Sequence, residues 1–201
     1  MPRQVVISLV LFQLREKQLQ VLLASGGTGN SLPVALPLEE ESLDQAAARW
    51  IASQFGRRET HLQQMHAYGE AGQPVRVVYL AIATAEAVLP AGSAYTWQPV
   101  KGKTNLSAAE ATIFNHALHQ LRRQVSNDIL VFPFLPLEFT LAEVQQAYEL
   151  IMGESQDKRN FRRQLLGSGT LSSTTRMTSG VGRPARLYRL RSRGKDPGHM
   201  P

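Results

Sequence analysis

The chain has 201 residues, of which 43% are hydrophobic and none is cysteine, enough for one large or two small domains with buried cores. Disulfides and thiolate metal sites are excluded, and no run approaches the roughly 18 uncharged apolar residues of a membrane span. The net charge of +6 is uneven: residues 1–153 carry 11 Lys and Arg against 13 Asp and Glu, whereas residues 154–201 carry 11 against 3. This asymmetry predicts a polyanionic partner for the C-terminal quarter, with a solvated basic tail as the alternative.

The first half of the chain is predicted to mix strands and helices. QVVISLVLFQL and QLQVLLAS flank the polar REK, which indicates a hairpin rather than a signal peptide, and GGTGNS is predicted to be a loop. Apolar residues then recur at steps of three and four, predicting a helix capped by Ser42 and ended by Gly56. THLQQMHAYGEAGQPVRVVYLAIATA predicts two strands around a turn, and SAAEATIFNHALHQLRRQV predicts a second helix with Ser107 as its cap. A cytoplasmic protein with no membrane association is expected.

The C-terminal part shows a different order of elements. LVFPFLPLEF is apolar with two prolines, which favours a packed connector. TLAEVQQAYELIMG predicts a helix with a capping box of Thr140 and Glu143 and an end at Gly153, and DKRNFRRQLLG predicts a short second helix. TLSSTTRMTSGVGRPARLYRL predicts a hairpin. Helix, turn, helix and hairpin is the order of a winged helix-turn-helix domain, and the final RSRGKDPGHMP has no apolar periodicity.

One stretch has the spacing of a known metal-dependent site. From Ala35 it reads A-x5-E-x7-R-W-I-A-S-Q-F-G-R, which resembles the Nudix box, G-x5-E-x7-R-E-U-x-E-E-x-G-U, where U is aliphatic. Ala35 and Arg57 depart from the first and last positions of that box. The matching residues are Glu41, Arg49, Ile51 and Gly56, whereas Trp50, Ser53 and Gln54 stand in place of three glutamates.

The missing glutamates decide what this box can do. In Nudix hydrolases the helix carboxylates hold Mg²⁺ and help to activate water, and hard cations require such oxygen ligands. Ser53 and Gln54 offer only neutral oxygens, and Trp50 lies on the apolar helix face, where packing is expected. We therefore expect no hydrolase activity, no catalytic residue and no metal site. A divergent Nudix hydrolase with a nucleic-acid-binding appendage is the alternative.

The short helix predicted at KRNFRRQLL separates its charged and apolar residues. On a helical wheel the cations occupy one arc, Phe161 and Leu165 occupy another, and Leu166 lies within the basic arc near the helix end. Cations crowded on about two turns repel one another, which favours phosphate as a partner, and Asn160 could read a base edge. The hairpin adds cations beside Gly180 and Gly182. The predicted DNA-binding residues are Lys158, Arg159, Asn160, Arg162, Arg163, Arg176, Arg183 and Arg186.

Three C-terminal segments carry a more specific resemblance. The segments are FTLAEVQQAYELIMG, DKRNFRRQLLGSGTL and GRPARLYRL. They closely resemble the C-terminal domain of the Nudix-related transcriptional regulators of NAD metabolism. The resemblance implies an α+β fold: a degenerate Nudix-like α/β/α sandwich with a mixed sheet over residues 1–130, a winged helix-turn-helix domain over 131–190 and a disordered basic tail over 191–201.

The same resemblance implies a function. It indicates a homodimer that binds a palindromic double-stranded operator, represses NAD biosynthesis or salvage genes, and responds to ADP-ribose or a related nucleotide, with no cofactor. GNSLPVAL stands where members usually carry a Trp and LPGG, so the effector stays open. An adaptor whose basic end binds RNA or a protein is a further alternative, against which the C-terminal part lacks aromatic stacking platforms.

An anionic effector would need positive charge in the first domain. We take Arg49, Arg76 and Glu41 as the candidate ligand-binding residues. For Arg49, a salt bridge to Glu41 is an equally good interpretation, and Arg76 on a predicted strand could be an ordinary exposed cation.

Overall fold

The computed structural model describes residues 4–26, 29–56, 61–84, 87–102, 104–126, 131–178 and 184–191. Within these ranges the chain forms nine strands, four α-helices and a short 3₁₀ helix at Phe132–Phe134. The strands are β1 Val5–Arg15, β2 Gln18–Gly26, β3 Gly29–Ser31, β4 Val34–Ala35, β5 His61–Tyr68, β6 Val75–Ile82, β7 Tyr95–Pro99, β8 Leu171–Met177 and β9 Arg186–Leu190. The helices are α1 Leu43–Phe55, α2 Ala108–Ser126, α3 Leu141–Met152 and α4 Lys158–Gly167.

A mixed sheet forms the centre of the N-terminal part. Its strand order is β3-β2-β1-β6-β5, with β4 paired to β1 and β7 paired to β2. β1 and β6 run parallel, whereas β1–β2 and β5–β6 are antiparallel. The β1–β2 hairpin turns at Glu16 and Lys17, whose φ angles of 53° and 56° are those of a tight two-residue turn. The hairpin and the two-strand unit predicted from the sequence are therefore present.

The two faces of this sheet are covered by different helices, because buried side chains alternate along the strands. Val77, Tyr79 and Ala81 of β6 join one core cluster with the buried residues of α1. Val78, Leu80 and Ile82 of the same strand join a second cluster with the buried residues of α2. The sheet thus lies between two helical layers, which confirms the predicted α+β class with a mixed sheet.

The sequence interpretation was wrong at one strand of this sheet and missed two others, β4 and β7. GGTGNS was predicted to be a loop, but Gly29–Ser31 forms β3 and pairs with Ala24–Gly26 of β2. This pairing leaves no room for a side chain at residue 26, since a Cβ at Gly26 would lie 2.9 Å from the carbonyl oxygen of Gly29. β7 was not predicted, because its five residues carry no clear alternation and its position depends on pairing with the distant β2.

The C-terminal part contains the predicted helices and hairpin. α3 begins with the predicted capping box, in which Thr140 Oγ1 accepts from the Glu143 amide and Glu143 accepts from the Thr140 amide. It ends at Gly153, whose φ of 84° is the left-handed conformation that glycine adopts readily. β8 and β9 pair antiparallel, and Phe139 adds a short third element through two backbone hydrogen bonds to Tyr188.

The core of the C-terminal part continues into that of the N-terminal part. Val144, Ala147 and Ile151 of α3 belong to the same buried cluster as the α2 face of the sheet, and Leu165 of α4 and Leu171 of β8 extend it. Phe132 and Phe134 of the apolar connector are also buried in this cluster, so the connector is packed, as predicted. The N-terminal sheet and the helix-turn-helix are therefore joined through buried apolar side chains.

Thr140→Ala should lower the free energy of unfolding by about 1 kcal/mol, because it removes the side-chain acceptor that caps α3. Urea denaturation followed by circular dichroism would measure the change. Thr112→Ala is the matched control, since this exposed threonine lies inside α2 and bonds only to the Ala108 carbonyl. Equal denaturation midpoints for Thr140→Ala and the unsubstituted protein would show that the cap adds nothing to stability.

Candidate nucleic-acid interface and ligand site

Helix α4 holds most of the predicted DNA-binding residues. Asp157 caps it by accepting a hydrogen bond of 2.8 Å from the Asn160 amide. Leu165 is buried, and the Phe161 ring lies 5.3 Å from the Tyr148 ring of α3. Leu166 is 50% exposed, in agreement with its place in the basic arc of the helical wheel. The apolar side of α4 thus packs on α3, and most of the basic side faces solvent.

The charged residues of α4 differ in their surroundings. Lys158, Arg159, Asn160 and Arg163 are exposed, and Arg163 Nη2 donates to Asn160 Oδ1 at 3.0 Å. Arg162 is half-buried, and its buried Nε has no hydrogen-bond partner among the described residues. Four of the predicted residues therefore present polar groups outward, whereas Arg162 has part of its guanidinium removed from water.

The hairpin after α4 carries further predicted residues. Arg176 near the end of β8 is exposed, and its Nη1 lies 3.0 Å from Glu138 Oε2. Arg186, the first residue of β9, is exposed and pairs with Met177. Gly180, Gly182 and Arg183 lie outside the described residues. The ion pair of Arg176 with Glu138 was not predicted, because Glu138 is 38 residues away in the chain.

The turn between α3 and α4 is fixed by side chains that the sequence analysis did not identify. Glu149 Oε1 accepts hydrogen bonds from the Gln156 amide and from Gln145 Nε2, both at 2.9 Å. Gln145 Nε2 also donates to the Gln156 carbonyl at 3.1 Å. The two hydrogen bonds that Glu149 accepts lower its pKa below the ordinary value, and the bond from the Gln156 amide has the larger effect. The four-residue spacing of Gln145 and Glu149 on one helix face is the sequence signal for this contact.

Glu41 and Arg49, which match the Nudix box, form an ion pair with each other. Arg49 Nε lies 2.7 Å from Glu41 Oε1, and Arg49 Nη2 lies 2.8 Å from Glu41 Oε2. Arg49 Nη2 also donates to the Leu36 carbonyl, and Glu41 accepts from the Leu38 amide. The arginine hydrogen bonds hold the pKa of Glu41 below its ordinary value. The structure thus favours the salt-bridge interpretation of Arg49: the pair ties the preceding loop to α1.

Trp50, Ser53 and Gln54, which replace the glutamates of the box, are engaged in local contacts. Trp50 is buried, as expected from its helix face, with its ring edge-on to Tyr95 at 5.1 Å between centroids. Ser53 Oγ donates to the Trp50 carbonyl at 2.6 Å, and Gln54 Nε2 donates to Ser53 Oγ at 3.1 Å. Within the described ranges no three His, Cys, Asp or Glu residues are grouped closely enough to hold a metal ion.

Arg76 does not lie with Arg49 and Glu41. Along β6 the even-numbered residues from Val78 face α2, whereas the odd-numbered residues face α1. Strand alternation places Arg76 on the α2 side, where its Nη1 donates to the buried Ser8 Oγ at 2.6 Å. It is half-buried and bonded rather than an ordinary exposed cation. The three candidate ligand-binding residues therefore do not form one site.

This architecture defines a class of protein. A mixed sheet between two helical layers, carrying a degenerate Nudix box, is followed by two helices and a hairpin in winged-helix order. Within the described ranges no helix is long and apolar enough to cross a membrane. The fold is that of a Nudix-like domain joined to a winged helix.

Comparison with known proteins identifies the family of the C-terminal domain. Residues 131–190 match the family described as the NrtR DNA-binding winged helix domain. The ADPR responsive transcriptional repressor NtrR of Acinetobacter baylyi is 26% identical over 92% of this chain and 80% of its own length. The resemblance to Nudix-related transcriptional regulators predicted from the sequence is confirmed.

Solved structures share the fold of both parts. The crystal structure of Shewanella oneidensis NrtR complexed with a 27mer DNA has a TM-score of 0.80 at 24% identity, covering 93% of each chain. The NUDIX domain of the same protein, complexed with ADP ribose, has a TM-score of 0.51 at 24% identity and covers 60% of this chain and 90% of that one.

Glu41→Gln should lower the thermal denaturation midpoint at neutral pH, because it removes the carboxylate that Arg49 holds. Since the pKa of Glu41 is lowered in the folded protein, the stabilisation is complete above the ordinary glutamate value of about 4.5 and is lost as the pH falls through the folded-state pKa. The difference between Glu41→Gln and the unsubstituted protein should therefore shrink in acid.

Glu40→Gln provides the matched control for this comparison. Glu40 is the exposed neighbour of Glu41 and forms no ion pair within the described ranges. The midpoint of Glu40→Gln should therefore follow that of the unsubstituted protein. A Glu41→Gln midpoint that equals the control at pH 7 would contradict a structural role for the ion pair.

Proposed function

We propose that this protein is a transcriptional repressor that binds a specific DNA operator through α4 and the β8–β9 hairpin. The observation that carries the proposal is the row of exposed polar groups on α4, a helix whose opposite face is docked on α3 within a winged-helix fold. In such domains the second helix of the helix-turn-helix enters the major groove, and flanking cations contact phosphates. The A. baylyi relative, described as a transcriptional repressor, supports this function.

The roles of the α4 residues follow from their chemistry. Lys158 and Arg159 are exposed in the first turn, where cations are placed to contact backbone phosphates. Asn160 offers an amide that can pair with adenine at N6 and N7, although Arg163 holds its oxygen in the protein alone. Arg163 would have to release Asn160 for that contact, and its guanidinium would then be available to a phosphate or to guanine.

The Nudix-like domain is proposed to sense ADP-ribose or a related nucleotide without hydrolysing it. Support comes from the A. baylyi relative, described as ADPR responsive, and from the NUDIX domain solved with ADP ribose. In this chain Glu41 is tied to Arg49, and the other acidic positions of the box hold Trp50, Ser53 and Gln54. Because those side chains offer no carboxylate to a magnesium ion, bound nucleotide would stay intact and could act as an effector.

We further propose that the protein acts as a homodimer in the cytoplasm and regulates genes of NAD metabolism. Two winged helices related by a two-fold axis would match the two halves of a palindromic operator. This assembly and these target genes come from the family resemblance seen in the C-terminal segments. The same proposal includes a domain division at residue 130 and a basic tail from residue 191. It also includes DNA contacts by Arg162, Arg176, Arg183 and Arg186.

Fluorescence anisotropy of the protein titrated into its own upstream DNA would test the function. At about 150 mM salt we expect tighter binding to that duplex than to a scrambled one, since specific affinities typically exceed non-specific ones by about 10³-fold or more. Addition of ADP-ribose should release the specific duplex, and the nucleotide should be recovered intact in the presence of Mg²⁺. Equal affinity for both duplexes would contradict a sequence-specific repressor, and cleavage of ADP-ribose would restore the hydrolase alternative.

Arg159→Ala should weaken binding to both specific and scrambled DNA and reduce the slope of log K against log salt by about one unit, as expected for loss of one phosphate contact. Arg123→Ala is a charge-matched control, because it removes an exposed cation from α2, outside the C-terminal domain. The titration is repeated at several salt concentrations. The same slope for Arg159→Ala and the unsubstituted protein would remove Arg159 from the interface.

A further inference from the structure

A cavity of about 400 Å³ lies where the N-terminal sheet meets α3. Its walls come from four separate parts of the chain: the β1–β2 turn, the end of β7 with the residues after it, α2 and α3. This volume falls in the range of small-molecule sites, about 300–1,000 Å³. The cationic and apolar side chains that line it are Lys17, Leu19, Val100, Lys101, Arg122 and Leu150.

Three cations from different elements line this cavity. Lys17 is held in the tight turn of the β1–β2 hairpin, with a φ of 56°. Arg122 is oriented by its Nε, which donates to the Ile151 carbonyl at 3.0 Å. Lys101 follows β7. The Lys101 and Arg122 side chains both approach Gly153: Lys101 Cε and Arg122 Nη2 each lie 3.9 Å from where a Cβ would stand on that glycine. Within the described ranges neither lysine ammonium has a hydrogen bond or ion pair.

The three cations outnumber the two acids that lie near them. A second cavity shares Lys17, Lys101 and Leu150 with the first and reaches Glu149 and Glu154. Glu149 stays negatively charged and accepts hydrogen bonds from Gln145 and Gln156. Glu154 is exposed beyond the C-terminus of α3 and forms no ion pair with another described residue. Like charges brought together beside apolar walls repel one another, and an anion in the cavity would relieve that repulsion.

We propose that this junction cavity binds a small phosphomonoester with an apolar portion. The phosphate would accept hydrogen bonds from Lys17, Lys101 and the Nη atoms of Arg122. Such hydrogen bonds between oppositely charged groups are stronger than those between neutral groups. Leu19, Val100 and Leu150 would contact the apolar portion, since they supply the aliphatic surface of the walls. The site is separate from the degenerate box, because α2 and α1 cover opposite faces of the sheet.

The position of the cavity links the ligand to both domains. Lys17 and Lys101 belong to the N-terminal sheet region, whereas Leu150 belongs to α3, whose end at Gly153 begins the turn that leads to α4. A bound phosphomonoester would therefore bridge the sheet and the helix-turn-helix. We expect occupancy to change the affinity for operator DNA, and this coupling, unlike the binding itself, rests on the proposed function.

Isothermal titration calorimetry of the full chain with phenyl phosphate, inorganic phosphate and phenol would test the site. Phenyl phosphate should bind most tightly, inorganic phosphate more weakly because it does not contact the apolar walls, and phenol not measurably. Lys101→Gln and Lys17→Gln should each weaken phenyl phosphate binding by about tenfold, as expected for loss of one charge-assisted hydrogen bond. Both lysines are exposed, so these variants should keep the fold, which circular dichroism verifies.

Arg123→Gln is the control, because Arg123 neighbours Arg122 on α2 but does not line the cavity. The proposal is overturned if phenyl phosphate does not bind, or if both lysine variants bind it as well as Arg123→Gln does. An anisotropy titration of operator DNA with and without phenyl phosphate separates the two claims. Binding to the cavity with unchanged DNA affinity would uphold the site and overturn the coupling. Failure of operator binding itself would overturn the proposed function and the coupling with it, but not the site.

Discussion

The packing of α3 against α2 and the sheet is the contact on which the rest of the molecule depends. Val144, Ala147 and Ile151 are buried in the same cluster as Phe114, Ala117 and Leu121 of α2. Each fully buried aliphatic side chain contributes roughly 1.5–3 kcal/mol relative to an exposed one. The helix-turn-helix is therefore packed against the N-terminal domain through a shared core, and not joined to it by a linker alone. The Ile151 carbonyl, at the end of α3, adds a polar contact to Arg122 across this junction.

Residues of the degenerate box take part in packing and in local hydrogen bonds. Trp50 is buried against Tyr95, and Ser53 and Gln54 form hydrogen bonds within their own helix. Glu41 and Arg49 remain paired because their contact fixes the loop before α1, a task that does not require a metal ion. The spacing of the box places these two residues face to face across that loop. The loop and the helix form here without the other carboxylates of the box.

Much of the fold could be predicted because its signals are local. The capping residues Ser42 and Thr140, the end of α3 at Gly153 and the apolar side of α4 each depend on neighbours within a few residues. β7 and the pairing of Gly29–Ser31 with β2 could not be predicted, since backbone pairing between distant segments places them. The site was predicted less well for the same reason. Arg176 and Arg76 have partners in Glu138 and Ser8, 38 and 68 residues away.

The uneven distribution of charge along the sequence can be related to the junction between the N-terminal sheet and α3. The excess of cations after residue 153 begins at α4, immediately beyond the turn that Glu149 and Gln156 hold in place. Lys17, Lys101 and Arg122 of the acidic first part gather on the other side of that turn. Positive charge from the first part of the chain thus lies beside residues 153–155, which precede α4. A change at the junction would act on α4 through α3, because closely packed interiors transmit strain.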